Sequence, residues 1–141
     1  MSYIAWCDQL YSIHVDAIDE QHKRLLGMIN SLHASVQAGA VHDELSPILK
    51  ELVTYIAGHL VAEEQLMREV SYPEFTRHKA LHAEFTGRIA GILQRLKSGQ
   101  DFSAYELLSF MKNWWDHHIR QEDIKIGRHI QRRTEAAAAQ S

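Results

Sequence analysis

The chain has a single cysteine, Cys7, among 141 residues, so no internal disulfide can form and a scaffold stapled by sulfur bridges is excluded. The same scarcity fits a reducing compartment. No apolar run approaches the roughly 18 residues of a membrane span. The opening "MSYIAWCDQLYSIHVD" lacks the basic flank and apolar block of a secretion signal. Positive charge is not in excess: the net charge of −3 gives no footprint for nucleic acid or for an acidic membrane surface. Period-two alternation is missing as well, so strands are not expected. These absences point to a cytoplasmic protein with no nucleic-acid partner and no membrane insertion.

What is present is a chain long enough to bury one sizeable core, 45% hydrophobic and 23% charged, with ten histidines as its compositional outlier. Four segments carry apolar residues at helical spacing. The first starts near Asp16, a candidate N-cap, and runs through Ile18, Leu25, Leu26, Ile29, Leu32 and Val36 to Gly39. Ser46 and Pro47 suit an N-cap followed by proline at the first helical position, opening a second helix with Leu52, Ile56, Leu60, Leu66 and Met67. "SYPEF" breaks it, because the residue before a proline is pushed out of the helical region. The third runs from about Pro73 to Lys97, where "SGQD" ends it, and Ser103 with Glu106 forms a capping box for the fourth. Four amphipathic helices with short connections pack most simply as an antiparallel up-down-up-down bundle, an all-α fold. Residues 1–15 form an N-terminal arm on a domain spanning 1–135. The tail "RRTEAAAAQS" is able to extend a helix but has nothing to pack against, so 136–141 are expected to be disordered.

The histidines fall on the apolar stripes of these helices. His22 lies four after Ile18 and three before Leu25. His59 follows Ile56 by three and precedes Glu63 by four, about 40° around the axis and about 6 Å along it, so both point inward. "HKALHAEF" places His78 and His82 four apart on the greasy side of the third helix. His118, four after Trp114, faces inward, whereas His117 is turned about 100° away. Asp123 stands five after His118, about 140° on an ideal helix, so a wide turn is needed to bring them together.

Each residue also has a plain structural reading. A lone histidine on an apolar face is usually a hydrogen-bonded core residue, and His33 is assigned so. The pair His78 and His82 is compatible with stacking on a crowded surface, and "HLVAEE" with a solvated charge run that has Glu64 on its outer edge. His14, His42, His117 and His129 follow no pattern and are assigned to the surface. Taken together, however, five imidazoles and two acids buried without a partner would cost several kcal/mol each. A metal core is the economical explanation. Seven donors exceed the four of a tetrahedral zinc site, and imidazole with carboxylate suits iron. Two octahedral irons offer about twelve positions; five histidines, two bridging carboxylates and an oxygen bridge fill all but one.

"DEQH" at Asp19 to His22, "HLVAEE" at His59 to Glu64, "YPEFTRHKALHAEF" at Tyr72 to Phe85 and "WWDHHIRQED" at Trp114 to Asp123 closely resemble the hemerythrins, in particular the single-domain bacterial ones. The resemblance covers about residues 1–130, and the family itself includes standard examples of the antiparallel bundle. It implies a non-haem, oxo- or hydroxo-bridged two-iron centre. His78, His82 and His118 would hold one iron, His22 and His59 the other, with Glu63 and Asp123 bridging. It further implies reversible binding of dioxygen at the two-histidine iron, in a pocket walled by Trp115 and Ile119. Trp115 stands where the family usually has a leucine, and Ile126 where bacterial members often have a tyrosine.

The resulting expectation is a monomeric, non-enzymatic protein for oxygen carriage, storage or supply. An oxygen-consuming enzyme is a candidate partner. The alternatives are an oxygen, redox or nitric-oxide sensor working through a signalling protein, and an enzyme acting on peroxide or nitric oxide. The chain offers no general acid or base beyond the ligands themselves, which argues against designed turnover.

Overall fold

The computed structural model describes residues 3–100 and 103–140. The chain is 84% helical and no strand occurs among the described residues. A short α1 (Asp8–Tyr11) lies in the N-terminal arm, followed by α2 (Asp16–Gln37), α3 (His42–Glu69), α4 (Phe75–Ser98) and α5 (Ala104–Trp114). A π-helical stretch, Trp115–Asp123, leads from α5 directly into α6 (Ile124–Ala139). Helix α2 packs on α3, α3 on α4, and α2 on α5, which closes the expected four-helix bundle. No helix among the described residues is long and apolar enough to cross a membrane.

The boundaries differ from expectation where local chemistry competes. Asp16 is the first residue of α2 rather than its cap; Val15 holds the cap position without a side-chain bond. The fastening is made one turn on, by Asp19, whose carboxylate accepts from the Ile13 N–H at 2.9 Å and from the Ser12 hydroxyl at 2.6 Å. Helix α3 opens at His42, so Pro47 sits inside it rather than at its start. The penalty is small there, because Pro47 lies one turn in and the Asp43 carbonyl that loses its N–H partner is on an exposed residue. Asp43 and Glu44 in the first turn complement the helix dipole. At α5 the Ser103 hydroxyl caps the Glu106 N–H at 3.2 Å as expected, while the Glu106 carboxylate meets Arg95 at 3.4 Å. The tail is helical as far as Ala139. Four successive alanines, the best helix formers, sustain it although the segment is exposed. Asp101 and Ser141, part of the expected break and tail, lie outside the described residues.

The apolar core has two parts. The larger includes Leu25, Ile29, Leu32, Leu49, Leu52, Ile56, Phe85, Ile89, Leu107, Met111, Trp115 and Ile119; the smaller joins Met67, Tyr72 and Ile126. On each long helix the polar donors fall between apolar positions: His22 between Ile18 and Leu25, Glu63 between Leu60 and Met67, Asp123 between Ile119 and Ile126. Each well-buried aliphatic side chain contributes about 1.5–3 kcal/mol, which lets the bundle carry a polar layer.

The arm is docked along its length. The Asn30 side-chain amide exchanges two hydrogen bonds with the Ile4 backbone, at 2.8 and 2.9 Å. Asp19 holds Ser12 and Ile13, as above. Ile13 also lies against Gly127, where a Cβ would collide with the Ile13 carbonyl oxygen, so this position needs glycine for close approach.

Candidate metal centre

Four segments deliver the donors. Helix α2 supplies His22, α3 supplies His59 and Glu63, α4 supplies His78 and His82, and the π-helical stretch supplies His118 and Asp123. All seven side chains are at most 5% exposed. The π-helix matters most for the last pair. Its i→i+5 repeat turns residues five apart onto one face, and His118 Nε2 comes within 3.1 Å of Asp123 Oδ1. The widening that the spacing demanded is therefore present.

The donors form two groups that share their carboxylates. His22, His59, Glu63 and Asp123 make one group; His78, His82, His118, Glu63 and Asp123 make the other, with all donor atoms of a group within 4.8 Å of one another. Each carboxylate divides its oxygens. Glu63 Oε2 lies 3.3 Å from His59 Nε2 and 3.5 Å from His22 Nε2, while Oε1 lies 2.8 Å from His78 Nε2 and 3.1 Å from His82 Nε2. Asp123 Oδ2 faces His22 Nε2 at 3.2 Å, and Oδ1 faces His78 and His118, both at 3.1 Å.

Hydrogen bonding alone does not satisfy this layer. Glu63 Oε2 and both Asp123 oxygens are buried without a hydrogen-bond partner, despite the imidazoles around them. Imidazole nitrogens also confront each other, His22 Nε2 with His59 Nε2 at 3.1 Å and His82 Nε2 with His118 Nε2 at 3.0 Å. Glu64 accepts from His82 Nδ1 at 3.0 Å, and Gln21 Oε1 from His59 Nδ1 at 2.7 Å. An oxygen that only accepts forces the proton onto Nδ1, so in the neutral ring Nε2 keeps a lone pair aimed at the cluster. Converging lone pairs and unpaired carboxylate oxygens call for cations between them. The residues present fit metal ions.

Charge follows the same logic. Burial by itself depresses the imidazolium form, yet the negative charges of Asp123 and Glu63 a few ångströms away override it, raising His22 and His78 to about 9 and His118 to about 10. Burial would raise the two carboxyls, but the surrounding imidazoles hold both Glu63 and Asp123 well below the usual carboxylate range.

Trp115 is fully buried, with its ring 6.2 Å from His22 and 5.2 Å from Tyr11, so it stands beside the two-histidine group. Ile119 is fully buried in the larger core cluster. Trp114 stacks on His118, rings 5.1 Å apart and 8° from parallel, and fixes that ring's plane.

Two histidines and Glu64 stand elsewhere than their sequence pattern implies, and Gln21 has a partner that its spacing does not signal. His33 is not a core residue: it is half-buried and stacks on Tyr3 at 4.3 Å. His129 is half-buried rather than on the surface and bonds the Val70 carbonyl at 2.8 Å; the exposed His42 bonds the Leu96 carbonyl at 2.8 Å. Both serve carbonyls in the last turn or at the C-cap of a helix, which lack helical N–H partners. Glu64 is half-buried against His82 instead of lying on an outer edge. Gln21 received no role, because nothing in the spacing of a glutamine signals an imidazole on another helix.

A buried, histidine-rich layer around two carboxylates, its donor atoms close enough to share cations, is the arrangement of a metal-binding protein. The family model "Hemerythrin HHE cation binding domain" matches residues 14–130, and the chain belongs to the hemerythrin family. A bacteriohemerythrin of Stenotrophomonas maltophilia is 37% identical over 126 residues, covering 87% of this chain and 78% of the relative. One from Methylococcus capsulatus is 28% identical over 90% of this chain and 96% of its own length. A crystal structure of wild-type hemerythrin superposes with a TM-score of 0.84 at 27% identity, covering 89% of this chain and 96% of that one.

Proposed function

We propose that this protein binds dioxygen reversibly at a two-iron centre, for oxygen carriage, storage or supply. The observation that supports it best is the division of each carboxylate: Glu63 turns Oε2 toward His22 and His59 and Oε1 toward His78 and His82, and Asp123 turns Oδ2 toward His22 and Oδ1 toward His78 and His118. On this reading His22 and His59 would hold one iron, His78, His82 and His118 the other, and Glu63 and Asp123 would bridge them. Iron supplies the reversible electron transfer that captures dioxygen. The chain's residues do the rest. Glu63 and Asp123 couple the two positions; Glu64, Gln21 and the Trp114 stack orient imidazoles; Trp115, Tyr11 and the docked arm keep water from the two-histidine side. On this reading the protein carries dioxygen rather than transforming a substrate, and does so as a cytoplasmic monomer.

Metal content tests this reading. Purified protein should hold close to two irons per chain, Asp123→Ala should lower occupancy sharply, and His117→Ala, at an exposed ring bonded only to the Asn113 carbonyl, should leave it unchanged. One zinc per chain, retained through reduction, would refute it.

A further inference from the structure

The outward nitrogens of the two histidine groups are held by unlike partners. His82 Nδ1 donates to the Glu64 carboxylate at 3.0 Å, and His59 Nδ1 donates to the Gln21 amide oxygen at 2.7 Å. Both partners fix the tautomer and the ring plane, but they differ in charge. An anionic acceptor draws on the shared proton and pushes electron density toward Nε2, making the ring a stronger donor to a cation; a neutral amide does so weakly. The Glu64 side chain is 16% exposed, so water screens this effect only in part. Neither His22 nor His78 has a partner for its buried Nδ1, so no second anion evens the balance at those rings.

We infer that Glu64 and Gln21 are unequal positioning residues: both orient a ligand imidazole, and anionic Glu64 makes the three-histidine position the better home for the higher metal charge. The inference rests on the two-metal reading. It adds that the asymmetry of the centre lies in these outer partners as well as in the count of histidines. The three-histidine position is stabilised in its oxidised state, while Gln21 leaves the two-histidine position easier to keep reduced.

The test uses the full chain with Glu64→Gln, Glu64→Ala and Gln21→Glu. Cobalt(II) affinity of the metal-free protein and the reduction potential of the iron-loaded protein, followed spectroscopically, are the two readouts. Glu64→Ala removes acceptor and charge together, so cobalt affinity should fall by about 10- to 100-fold. Glu64→Gln keeps an acceptor, should restore most of that affinity, and should still shift the potential upward. Gln21→Glu should shift it downward. If Glu64→Ala does not fold, the two charge-switching variants decide. Wild-type potentials in both, with two metals bound, would overturn the inference and leave the two-metal reading standing. Fewer than two metals in the unaltered protein would overturn both, and the metal count alone tells these failures apart.

Discussion

Arg77 and Glu122 are joined by two parallel hydrogen bonds, at 2.6 and 2.9 Å, across the gap between α4 and the π-helical stretch. Each stands immediately before a residue of the buried cluster, His78 and Asp123, so the pair straps together two segments that deliver side chains to it. Arg77 is half exposed, which limits what the pair adds to overall stability. Arg77→Ala should barely change the thermal midpoint yet hasten metal loss to a chelator, more so at low salt. A dissociation rate matching the unaltered protein would reduce the pair to a surface contact.

Gly127 separates backbone approach from simple helix propensity. A methyl group there meets the Ile13 carbonyl, with the Ile13 carbonyl carbon and Cα each 3.0 Å away. Gly127→Ala should cost about 1–3 kcal/mol and loosen the arm that covers Trp115. Gly58, helical with open space around it, is the control: Gly58→Ala should be neutral or stabilise by up to about 1 kcal/mol. Denaturant unfolding with tryptophan fluorescence measures both, and equal effects would remove the role assigned to the arm contact.

Acidity should stabilise the metal-free chain and weaken the added stabilisation that metal gives. His22, His78 and His118 are raised from 6.5 to about 9, 9 and 10, so their contribution is complete below 6.5 and fades as pH climbs through 9 to 10. Glu63 and Asp123 are lowered, so theirs is present above about 4.5 and lost as pH falls toward their depressed values. The metal-free chain should therefore lose stability between pH 6.5 and 9. Metal binding must displace those imidazolium protons, so the stabilisation by metal should grow over the same interval. Paired thermal scans across that range check the sign, and a gap that narrows with pH would contradict it.

Trp115 fills space beside His22 with a bulky, fully buried indole. Trp115→Leu should open this side, speed azide binding to the ferric form and shorten the life of the oxygenated form by admitting water. Stopped-flow mixing and spectral decay give the two rates. Unchanged rates with iron content intact would leave Trp115 as packing alone.

The bundle, and the inward placement of the five clustered histidines and Glu63, were legible because they follow the 3.6-residue period: a histidine at a stripe position needs no tertiary information to be turned inward. Asp123 was readable only as a contradiction, five residues from His118, which the π-helix resolves. What sequence did not disclose depends on neighbours distant in the chain. Glu64 and Gln21 act on rings of other helices, His129 serves a carbonyl 59 residues away, and α3 starts ahead of Pro47 because Asp43 and Glu44 favour a helical first turn before the proline.

The most direct test is the visible spectrum of anaerobically reduced, iron-quantified protein through repeated cycles of oxygenation and evacuation. Reversible binding predicts that a new absorption appears with oxygen and that the reduced spectrum returns on each removal, with two irons per chain throughout. Prompt, lasting conversion to the ferric form on first exposure would contradict the account and favour a redox-reactive enzyme or sensor.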